Sequence, residues 1–414
     1  MLLKNFHKLT ALLSFLTLTM VSCGTKSHDL STGTWRATIK NESGTEVPFN
    51  FEVTDSAGVK RLYILNASDC LLVDDIAVNR DSVTIKLPLF DSEIKAGFTA
   101  DGFSGKWIKH LVDKDVAMEI TASKDVSYRF FKDNPDVPEQ IGGRWSTTIV
   151  SLDNKDTTIA VGEFRQEKSR VTGSFLTSTG DYRFLEGSIS SGHLFLSAFD
   201  GSNCMLFTGT IDGNTIIDGK FYSGLSTVRN WSARKDEHAI LPDAYTLTNL
   251  KPGYTSLSFS FPDLDGKQVS LKDPRYKDKV VIISFLGSWC PNCMDETAFL
   301  TKFYQEYKSK GVEIIGLAYE RTNDIERSKK SLEQLRKRFN ISYPVLVTGH
   351  TNKEVLKSIP ELNEFRAFPT TIIIDKQGKV NKIHTGFSGP GTGQHYTDYV
   401  QEFETHINKL LANK

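Results

Sequence analysis

Two cysteines three positions apart, Cys290 and Cys293, stand in the run Trp289-Cys290-Pro291-Asn292-Cys293. A pair at this spacing can hold structural zinc, anchor a haem or close a disulfide. Structural zinc takes four ligands, and no second cysteine pair or nearby histidine pair accompanies this one. Covalent haem attachment requires a histidine directly after the second cysteine, where this chain has Met294. A disulfide remains, either structural or redox-active, and the placement favours the second. The pair follows a continuous apolar run, Val280–Leu286, and opens a stretch of helical period. Free backbone N–H groups and the helix dipole at such a start favour negative charge. Cys290 is therefore expected to be the more exposed and more acidic thiol, and the thiolate is the attacking species. Cys293, one turn inside, can resolve a mixed disulfide. Pro291 suits the first helical turn, where its missing N–H needs no partner.

The elements that must hold this pair are legible around it. Val280–Leu286 is apolar at every position except Ser284, which suits a strand buried on both faces. Phe299, Phe303 and Tyr307 recur at four-residue steps in the helical stretch Met294–Ser309. Val312–Ala318 is a second buried strand and Ile325–Phe339 a second helix. Tyr343–Val347 and Thr371–Ile374 add strands, and Asp375-Lys376-Gln377-Gly378 turns the chain into Lys379–His384. A helix from Thr397 to Leu411 closes the domain. Alternating strands and helices imply a mainly parallel sheet with helices on both faces.

Residues from about Tyr254 to Leu411 resemble the thioredoxin superfamily, specifically the TlpA/ResA-like membrane-tethered thiol–disulfide oxidoreductases. Phe261-Pro262-Asp263-Leu264-Asp265-Gly266-Lys267 and Val269-Ser270-Leu271 match that group's opening hairpin. Trp289-Cys290-x-x-Cys293-x-x-Glu296 matches its active site, and Gly311-Val312-Glu313-Ile314-Ile315-Gly316 its second strand. Phe368-Pro369-Thr370-Thr371-Ile372 matches its cis-proline loop. The resemblance implies that Pro369 faces the disulfide through a cis bond, with Trp289 and Phe368 flanking the site. It implies that the backbone before Pro369 pairs with a substrate chain like an added strand. It also implies a proton-relay role for Glu296; the alternative is a first-turn charge that favours the helix dipole. Two departures stand out. Ser284 occupies the place of the buried aspartate of cytosolic thioredoxins, and Ala298 the place of a helix proline. No metal or other cofactor is expected. The clients implied are thiols and disulfides of exported proteins, with a membrane or periplasmic redox partner. The direction favoured is reduction.

The first residues bear on location. Lys4 and Lys8 precede the apolar run Leu9–Val21, shorter than the roughly 20 residues a membrane-spanning helix needs. The run ends at Met20-Val21-Ser22-Cys23, which resembles a bacterial lipobox, with Met20 in place of the usual Leu. The expectation is a signal peptide over 1–22, lipidation of Cys23 and a small, polar tether over 23–30. Such a protein would be periplasmic and held on a cell-envelope membrane.

Between tether and redox domain lies an all-β region. Thr, Val, Ile, Phe and Tyr alternate with polar residues, with turns at Gly, Asp, Asn and Ser. The region repeats. Gly33-Thr34-Trp35-Arg36-Ala37-Thr38-Ile39 matches Gly143-Arg144-Trp145-Ser146-Thr147-Thr148-Ile149, and Phe90-Asp91 matches Phe199-Asp200. Copy 1 spans 31–131, copy 2 spans 142–236, and the redox domain spans 250–414. Polar segments carrying prolines, Lys132–Glu139 and Asp236–Asn249, read as linkers. The opening Gly-x-Trp strand resembles lipocalin- and avidin-type barrels, so a closed meander stands beside a plain antiparallel sandwich. Cys70 and Cys204 can each be small buried hydrophobes, or a disulfide between the copies.

Composition sets outer limits. The 414 residues carry zero formal net charge, which offers no basic excess for nucleic acid. Arg327–Lys330 and Arg336–Arg338 read as a solvated helix face. Two other functions compete with disulfide exchange. One is a peroxidase of the same fold, which uses a Pro and Thr upstream of a single reactive cysteine. The other is a binding protein working through its β repeats.

Overall fold

The computed structural model describes residues 29–88 and 91–413. The expected signal peptide, Cys23 and Phe90 of the repeat match lie outside them.

Each repeat is an antiparallel meander whose first strand pairs with its last. In copy 1, Gly33–Lys40 pairs with Asp115–Lys124 and with Glu46–Ser56. Trp35, Ala37 and Ile39 point inward at alternate positions, the period a half-buried strand dictates. The ladder has one gap, between Asp69–Val73 and Asp75–Val78. Copy 2 closes fully. Its sheet has nine strands, but two-residue Gly180–Asp181 is an appendage of Arg170–Thr177. The other eight form a ring, completed where Thr157–Glu167 pairs with Arg170–Thr177. The repeat also shows in one bond. Trp35 Nε1 donates to Ser31 O and Trp145 Nε1 to Ile141 O, each spanning four residues.

The two copies are not separate beads. Phe199, Cys204 and Leu206 of copy 2 belong to the same buried cluster as Trp35, Phe49 and Trp107 of copy 1. The Phe199 ring lies 4.4 Å from Phe49 and edge-on to Trp107 at 5.0 Å. Buried Arg129 donates to Ser197 O and Leu65 O. The proline-bearing connectors are packed as well. Asn134 Oδ1 accepts from Ser169 Oγ and from the Arg170 N–H. Ala239 and Leu241 pack on Val161 and Leu176 of the barrel. Cys70 and Cys204 are free, Cys70 exposed and Cys204 buried. The inter-copy disulfide is therefore absent, and only Cys204 serves as a buried hydrophobe.

In the C-terminal domain, Val280–Leu286 is the central strand and is buried throughout. The sheet order from one edge is Val345–Thr351, Val312–Glu320, Val280–Leu286, Thr370–Ile374, Val380–Thr385. The first two pairings are parallel and the last two antiparallel. This corrects the mainly parallel expectation. The Asp375–Gly378 turn is too short for a crossover, so the strands it joins must run antiparallel. Three helices, α1 (Pro291–Tyr307), α2 (Ile325–Phe339) and α4 (Gln394–Ala412), share one core with Val280 and Ile282. The opposite face, with Val281, Ile283 and Phe285, is covered by short α3 (Val355–Ser358), by Tyr276 of the single 3-10 turn Pro274–Tyr276 and by the irregular segment carrying Leu257. Helical cover is thus heavily one-sided.

The basic residues of α2 are only partly solvated. Arg327 bonds Asp91 Oδ2 at 3.1 Å and the carbonyls of His110 and Leu111. Arg338 donates to Leu72 O. A guanidinium carries five donors in a fixed fork, and here α2 uses two of them to dock on copy 1.

Candidate redox site

Cys290 caps α1 in an extended backbone conformation, and its Sγ accepts from the Cys293 N–H at 3.2 Å. Pro291 occupies the first turn. Cys290 and Cys293 form a disulfide with their Cα atoms 5.2 Å apart. The Phe368 carbonyl oxygen lies 3.6 Å from Cys290 Sγ, and the Phe368–Pro369 bond is cis. Trp289 folds back over the strand end, with Nε1 donating to Tyr319 O at 3.0 Å. Its ring meets Phe368 edge-on at 5.5 Å. Gly287 makes room for it, because a Cβ there would fall 2.3 Å from the indole nitrogen.

Glu296 sits behind the pair, 1% exposed. Its Oε2 accepts from Ser284 Oγ at 2.6 Å and its Oε1 from Thr371 Oγ1 at 2.5 Å. Burial drives its pKa up and the two hydroxyl bonds pull it partly back, leaving it at about 7. A group poised there can both take and give a proton near neutrality. Ser284, read in the sequence as a lost acid, instead orients the acid that α1 supplies.

Both cysteines are buried. Cys290 is 4% exposed and Cys293 fully covered. Cys290 is the more open of the two, but it is far less open than a bare helix start allows: it belongs to the core cluster of its own domain with Phe368 against it, and the barrel of copy 2 packs on the turn that carries it. Its appended strand Gly180–Asp181 lies against the redox turn. Arg183 Nη1 donates to the Pro291 carbonyl at 3.0 Å and pairs with Asp295 Oδ2 at 3.1 Å. Asp181 Oδ2 accepts from the Gly389 N–H. Gly180, at φ +141°, approaches so closely that a Cβ would lie 1.8 Å from Asn292 Nδ2. Asp69 and Asp200 complete the ring of acids around Arg183, at 3.7 and 3.9 Å. Burial lowers the Arg183 pKa, but Asp295 and its neighbours more than offset this and hold the guanidinium charged. Burial lifts Asp295 to about 7 despite Arg183. What remains in front of Cys290 is a cavity of about 510 Å³, lined by the redox domain and both β repeats.

A family model described as Redoxin matches residues 251–400. The thiol-disulfide oxidoreductase ResA of Geobacillus thermodenitrificans is 31% identical over 139 residues, 34% of this chain and 72% of that one. The chain belongs to this family of thiol–disulfide oxidoreductases. ResA of Bacillus subtilis is 28% identical over 157 residues, covering 38% of this chain and 80% of that protein. Among solved structures, a putative thiol:disulfide interchange protein DsbE from Chlorobium tepidum aligns with a TM-score of 0.30 and 20% identity. The alignment covers 38% of this chain and 99% of that one.

The sequence reading missed Arg183, Asp295 and the barrel edge that carries them to the site. Asp295, a carboxylate between Cys293 and Glu296, is the only local trace. Arg183 stands 108 residues before Pro291 in sequence, and no pattern around it marks it.

Proposed function

We propose that this oxidoreductase reduces disulfides of exported proteins from a lipid anchor at Cys23 on a cell-envelope membrane, on its periplasmic side. The observation that carries the redox reading is the Cys290–Cys293 pair at the start of α1, with buried Glu296 behind it. In the reduced enzyme, Cys290 thiolate attacks one sulfur of a client disulfide. A Cys290–client disulfide forms, and the client's other sulfur leaves as a thiolate and takes up a proton. Cys293 then loses its proton, with Glu296 as acceptor, and attacks Cys290 Sγ. The client leaves with both sulfurs reduced, and the enzyme keeps the Cys290–Cys293 disulfide. The backbone before Pro369, whose carbonyl lies beside Cys290 Sγ, is placed to pair with the client strand. A separate electron donor must restore the dithiol.

The test uses two variants. Cys293→Ser should accumulate mixed disulfides with clients, identified by mass spectrometry of the trapped complexes. Cys290→Ser should trap none and exchange none. Trapping by Cys290→Ser alone would reverse the two roles.

A further inference from the structure

Resting on the exchange reading above, a second question is which clients can reach a cysteine that is only 4% exposed. The way in is the cavity of about 510 Å³, walled on one side by Trp289, Asn292 and Phe368 and on the other by both β repeats. A neighbouring cavity of about 320 Å³ shares Lys109, Ser202, Trp289 and Arg321 with it, so the space is a slot. A folded domain of 100 residues has a radius of gyration of about 13 Å. Such a body cannot enter a cavity of this size, whereas a short extended strand can.

The slot's charges are uneven. Of the four cations lining the larger cavity, two are committed: Arg229 to Asp156 at 2.7 Å, and Arg183 to Asp295. The other two are Lys109 and Arg321. Lys109 Nζ donates to the Ser202 carbonyl and lies over the Trp107 ring, 5.7 Å from its centroid. The Arg321 guanidinium lies over the Trp289 ring, 4.5 Å from its centroid. Among the described residues neither forms a salt bridge. The two carboxylates whose fields reach these cations, Glu320 and Asp200, make hydrogen bonds of their own. Glu320 accepts from the Ser288 N–H and Oγ, both at 2.8 Å, and Asp200 from the N–H groups of Ser202 and Asn203. Burial lowers the Lys109 pKa; Asp200 raises it and Arg321 lowers it again, which places the two cations within each other's field. Two cations without a salt-bridge partner among the described residues, one from copy 1 and one from the redox domain, therefore line the slot beside the reactive cysteine, with Asp200 and Glu320 acting on them only from beyond salt-bridge distance.

We infer that the Lys109–Arg321 pair, facing the slot in front of Cys290, selects clients that present their cysteine in a short extended segment with a carboxylate close to it. The β repeats thereby become part of the substrate site: copy 2 narrows the entrance and copy 1 supplies Lys109. A carboxylate accepting from both cations would place the client backbone alongside Phe368 and Pro369, with its sulfur toward Cys290.

The experiment takes the full chain, reduced and desalted. It measures the second-order rate constant of single-turnover exchange with three short peptides whose single cysteine is activated as a 2-thiopyridyl disulfide. The peptides differ only in the residues beside the cysteine: two aspartates, two serines or two lysines. Wild type should prefer the acidic peptide over the basic one by about tenfold or more, as expected for steering by a charged cleft. The preference should shrink in 1 M salt, where the screening length falls to about 3 Å. The acidic-to-basic ratio is read within each variant, so a general change in rate cancels. Arg321→Ala and Lys109→Gln should each lower that ratio, and Arg321→Glu should invert it. Equal rates for all three peptides, or a ratio indifferent to these substitutions, would overturn the inference. 2,2′-Dipyridyl disulfide separates the two levels. If wild type consumes it faster than Cys290→Ser but treats the peptides alike, only the charge selection falls. If wild type is no faster than Cys290→Ser on every disulfide, the exchange reading falls and takes this one with it.

Discussion

Replacing Glu296 by Gln tests the proton route and the energetics of the site together. Gln keeps the size and can still bond Ser284 and Thr371, whose hydroxyls can rotate to suit, but it cannot ionise. The wild-type carboxyl is raised from 4.5 to about 7, chiefly by burial. At about 1.4 kcal/mol per unit, the shift of roughly 2.5 units corresponds to about 3 kcal/mol. The sign follows from the raised value. The folded state holds the proton more tightly than the unfolded chain, so this stabilisation is complete below pH 4.5 and is lost as pH rises through 7. Urea denaturation at pH 5 and pH 8 should therefore show wild type losing about 2.5 kcal/mol more than Glu296→Gln across that interval, the rest having gone by pH 5. Exchange should respond in the opposite sense, because it needs the ionised carboxylate to accept the Cys293 proton. The wild-type rate should climb with a midpoint near pH 7. The variant should be slower at pH 7.5 by on the order of a hundredfold, a usual contribution of general-base catalysis. Its remaining rise should move toward the free-thiol range near pH 8.5. Stopped-flow exchange from pH 5 to 9 supplies the profiles. Superimposable profiles would refute the relay and leave Glu296 as a buried structural acid; equal stability slopes would refute the raised pKa itself.

Arg183→Ala should free the barrel edge from the redox turn, because it removes the bond to Pro291 O and leaves Asp295 buried without its cation. Breaking such a pair costs about 3–5 kcal/mol. The cost should be larger at pH 8 than at pH 5, since Asp295 is protonated below its raised value of about 7. Alkylation of reduced Cys290 should be faster in this variant, and an unchanged alkylation rate would show that the barrel does not cover the cysteine. For the anchor, radiolabelled palmitate should enter wild type and not Cys23→Ala; a wild type that stays soluble and unlabelled would remove the membrane assignment.

What could be read along the chain was whatever depends on near neighbours. The Cys290–Cys293 spacing, the helix start at Pro291, the all-buried run Val280–Leu286 and the alternation in Gly33–Lys40 are local patterns. Helix and strand periods report them directly. The sheet's mixed direction was half legible: the four-residue turn at Asp375 excludes a crossover, but alternating elements alone pointed to parallel pairing. Glu296 could be placed beside Cys293 on α1, whereas its bond to Thr371 joins residues 75 apart and its raised pKa comes from burial by that strand. The fate of the charged and apolar surfaces was decided only by tertiary packing. Arg327 and Arg338 look like solvent-facing helix residues until copy 1 is set against them. Phe199 looks like a core residue of its own barrel, yet it fills the core of the other. The docking of Gly180–Arg183 on the redox turn has the same origin. Nothing in a period of 2 or 3.6 says which element a finished surface will meet, because that choice rests on the shape and charge of two folded bodies rather than on the chain that makes either one. The sequence by itself therefore determined the chemistry of the thiol pair, and the tertiary structure decided how that pair is enclosed and which carboxylates and cations surround it.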